Sequence, residues 1–169
     1  MTAWYEQLRQ QYRPDRLEVL LVGESPPDPG PGPRRFFYAP TLSRDNLYRG
    51  VAQGLYGEQS GVEVADKPAV LRRLQADGFW LIDATDQPVN HLPPGPRRAA
   101  ITAAVPQLVA RCRDLAPRRG VVICHRVVYQ LTTPSLRDAD VRVLHDQPLR
   151  FPLGNWRADF VAGLRRALE

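Results

Sequence analysis

The sequence predicts an α/β protein: a doubly wound, mostly parallel four-stranded sheet with helices on both faces, a three-layer αβα arrangement. Three observations carry this. Four short runs, Leu17–Val22, Phe79–Asp83, Gly120–Cys124 and Val141–His145, have the apolar, β-branched character of strands in a covered sheet. The segments between them place apolar residues at helical spacing, so strands and helices alternate along the chain. Finally, 169 residues without an internal repeat or a linker make one domain, residues 1–169, long enough to bury a genuine core.

Trp4, Tyr5, Leu8 and Tyr12 recur at helical spacing, which predicts a first helix over residues 2–12, ended by Pro14. The first strand, Leu17–Val22, stops at Gly23-Glu24-Ser25-Pro26-Pro27, where two prolines forbid further ladder pairing. The loop through Pro40 is rich in Pro, Gly and Arg, contains the triplet Phe36-Phe37-Tyr38, and is long for a plain connection. Ser43 is the expected cap of a helix carrying Leu47, Val51 and Leu55 and closing at Gly57. Asp66 is expected to cap another, with Pro68 in its first turn and Gly78 just past its end. After the strand Phe79–Asp83, the segment Ala84–Pro96 holds four prolines and reads as a loop.

Arg97–Leu115 shows a stripe of Ile101, Ala104, Val105, Leu108, Cys112 and Leu115, with a kink or a later start expected at Pro106. Gly120–Cys124 is the third strand, with His125 just past its end and a short helix through Leu131. Val141–His145 is the fourth strand. Asn155 is expected to cap a last helix with Trp156, Phe160, Leu164 and Leu168 on one side.

In an open sheet of this kind, ligands bind at the carboxyl ends of the strands. Glu24 and Ser25, Asp83, His125 and His145 stand at those ends, so polar groups from four strands would meet on one rim. The aromatic pair Phe36 and Phe37, behind arginines in a proline-stiffened loop, suits either a core anchor or a base-stacking wall. His125 reads more simply as a strand-end hydrogen bonder.

Several chemistries are excluded. Pro27 stands where a nucleophile elbow needs glycine, and no G-x-x-x-x-G-K loop is present. Cys112 and Cys124 lack metal-ligand spacing and read as buried thiols, so no metal site is expected. No apolar run is long enough to span a membrane and the first residues form no apolar signal core, which favours a reduced, cytoplasmic protein. The formal charge of +5 leans toward a polyanionic partner, but Lys67 is the only lysine. An arginine-, alanine- and proline-rich composition equally fits a GC-rich genome. Arg97-Arg98, Arg118-Arg119 and Arg165-Arg166 read as solvated faces unless the fold gathers them.

Taken in order, these residues resemble the uracil-DNA glycosylase superfamily. Its first motif, G-x-x-P or G-E-x-P-G after strand one, stands here as Gly23-Glu24-Ser25-Pro26-Pro27. Phe37, with Phe36 as the alternative, falls where the family has a base-stacking phenylalanine. Asp83 takes the place of a base-reading asparagine at the end of strand two. His145-Asp146-Gln147-Pro148-Leu149 looks like a weakened H-P-S-P-L motif. The likeness spans about Leu17 to Arg150.

It implies a monomeric DNA-repair glycosylase that flips a damaged, deaminated base out of the stack and hydrolyses its N-glycosidic bond. Glu24, Ser25, Asp83 and His145 would be catalytic. Gly23, Pro26, Pro27, Phe36, Phe37, Pro148 and Leu149 would bind substrate, with Leu149 or Leu153 as a wedge in the vacated stack. DNA is the implied partner, and two cysteines are too few for the family's iron–sulfur cluster, so no cofactor is expected. The chain departs from the pattern at Ser25, where the best-known branch has a carboxylate. It departs again at Asp83, which when ionised only accepts hydrogen bonds. A non-catalytic reader of DNA or nucleobases, and a small-molecule hydrolase on the same scaffold, stand as alternatives; an arginine-rich rim would separate them from each other.

Overall fold

The computed structural model of the protein describes residues 3–27, 35–42, 44–57 and 65–169. The expected loop over 28–34 and the expected cap Ser43 lie outside the described residues. In chain order the elements are α1 (Trp4–Gln11), β1 (Val19–Gly23), α2 (Asn46–Tyr56), α3 (Lys67–Ala76), β2 (Phe79–Asp83), α4 (Pro94–Leu115), β3 (Gly120–Ile123), α5 (Arg126–Asp138), a 3-10 turn (Gly154–Trp156) and α6 (Arg157–Leu168).

The sheet is parallel, in the order β2-β1-β3. β1 is the central strand, and every one of its five residues is buried, so both of its faces are covered. Its register is continuous, from Val19 opposite Phe79 to Gly23 opposite Asp83 on one side, and Val19 opposite Gly120 on the other. α2 packs on α6, and α4 on α5. Gly50 and Gly54 on α2 leave no room for a side chain against Phe160 and Leu164 of α6, which brings these two helices close.

The expected fourth strand is reduced to a single parallel bridge, Val121 to Val143, so the sheet has three strands rather than four. The hydrogen bonds explain where it stops. Val121 N–H donates to Arg142 O at 2.8 Å, and Leu144 N–H donates to Val121 O at 2.9 Å. The next donor on β3, Ile123 N–H, goes instead to the imidazole Nε2 of His145 at 3.0 Å. A side chain takes the place of the backbone acceptor, and the ladder ends. Gly120 makes the approach possible: at φ +142°, a Cβ there would lie 2.5 Å from Arg142 O.

Other boundaries also move. α4 begins at Pro94, where proline needs no N–H partner, and continues through the solvent-facing Pro106. α5 runs to Asp138 rather than stopping at Leu131. The last helix is entered through the 3-10 turn, and Trp156, not Asn155, stands at its N-cap, without a side-chain capping bond. Asp66 caps α3 as expected, accepting from Ala69 N–H at 3.3 Å. Among the described residues, no helix is long and apolar enough to cross a membrane.

Candidate functional site

A cavity of about 920 Å³ opens at the carboxyl ends of the three strands. Glu24, Ser25, Pro26 and Pro27 from the loop after β1 form its floor with Asp83 from β2 and His125 from the end of β3. Phe36, Phe37 and Tyr48 line one wall; Phe151, Leu153 and Trp156 line another. Because the sheet is parallel, its strand ends converge here, and three of the four expected strand termini deliver a polar group.

Glu24 is half-buried and accepts a forked pair of hydrogen bonds from Arg97 on α4, through Nε at 2.8 Å and through a second guanidinium nitrogen. His125 Nε2 lies 3.5 Å from the same carboxylate. The other ring nitrogen, Nδ1, accepts from Val127 N–H at 3.2 Å, which makes His125 the N-cap of α5. That bond fixes the neutral tautomer with its proton on Nε2, facing Glu24. Burial lowers the His125 pKa; Glu24 opposes the shift and Arg97 adds to it. Ser25 Oγ accepts from Val89 N–H at 3.3 Å, tying the first loop to the segment after β2.

Asp83 is buried at the end of β2, its Oδ2 2.5 Å from Arg9 Nη2 of α1. Arg111 binds its backbone carbonyl. Burial pushes the Asp83 carboxyl up to about 6, with Arg9 and then Arg111 pulling it back. Oδ1 lies against Gly23, where a Cβ would come within 2.9 Å of it. Glycine at that position is therefore what lets Asp83 sit at the cavity floor.

The aromatic wall is fastened from behind. Lys67 is fully buried; its ammonium binds Asp45 and Phe36 O and lies 4.8 Å from the centre of the Tyr48 ring. Burial lowers its pKa, with Asp45 opposing. Phe37 packs edge-on against Tyr38 and Tyr48, and Phe36 against Trp4, Tyr5 and Tyr38. Both phenylalanines are largely core residues that show one edge to the cavity.

His145 is not at the cavity. Its Nε2 accepts from Ile123 N–H and its Nδ1 donates to Gln147 O at 2.8 Å, so both ring nitrogens hold backbone. Burial lowers its pKa, consistent with a neutral imidazole in that frame. The expected strand-end histidine is thus a structural one, and His125 is the imidazole in the cavity. Leu149 is also displaced from its expected role: it is buried, packed onto Gly163 of α6. Pro148 does not line the cavity either, whereas Leu153 is exposed at its mouth.

Arginine residues from separate parts of the sequence gather around the opening. Among the described lining residues, five arginines (Arg35, Arg44, Arg97, Arg126 and Arg150) face three carboxylates (Glu24, Asp45 and Asp83). Each carboxylate already has a partner, in Arg97, Lys67 and Arg9 respectively. Arg35, Arg44 and Arg126 are exposed and make no ion pair with a described carboxylate. Comparison with family models, with curated proteins and with solved structures gave no significant match. The site must therefore be read from its own chemistry. Among the described residues no cluster of His, Cys, Asp and Glu could hold a metal ion, and Cys112 and Cys124 are buried free thiols with raised pKa values caused by that burial.

Sequence reasoning missed Arg9 and Arg97, which anchor the two carboxylates from α1 and α4. It also placed His125 second to His145. A signal for His125 was present: it stands immediately past the end of the third strand, where ligands bind in an open parallel sheet.

Proposed function

We propose that the protein binds nucleic acid with one base drawn into the cavity, and that it hydrolyses the N-glycosidic bond of a damaged base held there. The observation that carries this reading is the pairing of an aromatic and proline-lined cavity with a rim of arginines that have no carboxylate partner among the described residues. A planar base suits the walls, and phosphates suit the rim. In this reading the chain is a divergent relative of the uracil-DNA glycosylase superfamily. Its support is the Glu24–Pro27 loop, which lines the cavity just past β1.

In the reaction the glycosidic bond breaks with its electron pair leaving on the base, and water adds to the sugar C1′. Glu24, held by Arg97 and His125, is the carboxylate that offsets the sugar's positive charge and takes the water's proton. Asp83, acceptor-only when ionised, favours a base edge bearing N–H or amino groups over a carbonyl edge. His125 takes the place the resemblance gave to His145. The basic rim weighs against a small-molecule hydrolase.

A second reading, a non-catalytic reader of extruded bases, is favoured by one observation. All three cavity carboxylates are ion-paired within the protein, which leaves none free for proton transfer until a partner moves.

The test is a cleavage screen with single- and double-stranded oligonucleotides carrying uracil, hypoxanthine or xanthine, followed by alkali. Cleavage that Glu24→Gln abolishes while binding persists establishes the glycosylase. Salt-dependent binding with no cleavage of any substrate establishes the reader. Absence of both cleavage and binding overturns the two together.

A further inference from the structure

Two large apolar side chains are exposed among the described residues, Leu153 and Trp156, and both stand at the mouth of the cavity. Trp156 is 44% exposed, although every other large ring near the cavity is buried or half-buried. It occupies the N-cap of α6, at the end of the 3-10 turn, and contributes no capping hydrogen bond. Its ring is nonetheless oriented: the Arg150 guanidinium lies 3.8 Å from the ring centroid. With one face covered by this cation, the residue still stands 44% exposed where it lines the cavity. Arg150 makes no ion pair with a described carboxylate, so its charge is available beside the ring.

We propose that Trp156, backed by Arg150, is a stacking platform for the nucleotide base next to the one in the cavity. It follows that the preferred partner is single-stranded or locally unpaired nucleic acid rather than intact duplex. This rests on the nucleic-acid reading above and deepens it by naming the form of the strand. The physical reason is simple. Flipping one base from a duplex frees only the neighbour's face inside the vacated gap, whereas an unpaired strand can splay the neighbouring base onto a ring outside the stack. An exposed apolar patch on a cavity lined by arginines fits bases and phosphates together.

The experiment uses the full chain and three probes: a single-stranded DNA oligomer, the same sequence as duplex, and an oligomer of equal length made wholly of abasic sites. Binding is read by anisotropy and by quenching of tryptophan emission, for the wild type, Trp156→Ala and Trp156→Phe. Because Trp156 is exposed, neither variant should alter the thermal midpoint, and this is checked first.

The platform predicts tighter binding of single strand than of duplex, with quenching that both variants lose. Trp156→Ala should weaken single-strand binding roughly ten-fold, and Trp156→Phe should retain most of it. All three proteins should bind the abasic oligomer equally, since it keeps the phosphates and lacks the bases. Equal affinity of Trp156→Ala and wild type for the single strand overturns the platform while leaving the nucleic-acid reading intact. Failure of the wild type to bind any of the three probes overturns the nucleic-acid reading and the platform with it.

Discussion

Burial at the end of β2 takes Asp83 out of water, and the nearby arginines offset only part of that cost, so its carboxyl titrates near 6 instead of 3.8. Between those two values the folded state holds a proton that the unfolded chain has lost. The contribution of this group to stability is therefore full below about pH 4 and declines as pH rises toward 6. Arg9 limits the decline by pairing with the ionised form. Arg9→Met leaves a buried carboxylate without its counter-ion, and the Asp83 pKa should move above 6. The expected loss, about 3 kcal/mol at pH 8, should shrink toward zero as pH falls below 6 and Asp83 protonates in both proteins. Urea denaturation of both proteins across pH 5 to 8, with the carboxyl titrated by NMR, measures this; a pH-independent loss would assign Arg9 to packing alone. At this scale the sequence is legible only where the chain is local. Gly23, Glu24 and Ser25 follow from the strand and turn that carry them. Arg9 and Asp83 are 74 residues apart, and no periodicity links them.

The segment 141–145 shows how one side chain can decide an element. By composition VRVLH is a strand, and Arg142–Leu144 do pair with Val121 of β3. The alternation of apolar residues was readable; the imidazole that substitutes for a carbonyl opposite Ile123 was not, because it depends on the chain turning at Asp146–Pro148. Removing the ring by His145→Ala leaves Ile123 N–H buried without an acceptor, which should destabilise the fold by roughly 1–3 kcal/mol. In hydrogen exchange, the Ile123 amide should lose protection more than its neighbours do. The wild type should show a related acid weakness. The His145 pKa is lowered in the folded state, so below about 6.5 the unfolded chain takes up protons first and stability falls with falling pH. His125 contributes in the same sense. Gly120→Ala attacks the same junction from β3, because its Cβ would meet Arg142 O. It should cost about 1–3 kcal/mol and expose the Val121 and Leu144 amides to exchange.

Across the whole molecule, the order of strands and helices carried the prediction of a cavity at the carboxyl ends of the strands, and that much depends on topology rather than on any one residue. The charge distribution did not follow from order. Arg35 and Arg44 come from the connection between β1 and α2, Arg126 from the start of α5 and Arg150 from the stretch before the 3-10 turn, and nothing in their spacing along the chain indicates that they surround one opening. Arg97, grouped in the sequence with Arg98 as a solvated face, belongs instead to the floor. This division of labour makes a prediction about binding. An arginine that meets phosphate acts by releasing counter-ions, so it affects the salt slope, whereas an arginine that braces Glu24 does not. In a plot of log affinity against log salt for single-stranded DNA, Arg44→Ala and Arg126→Ala should each lower the slope by about 0.7, with the loss equal across sequences. Arg97→Ala should leave the slope unchanged and reduce cleavage, or base preference if the protein only reads. Unchanged slopes in all three variants would move the nucleic-acid path away from this rim.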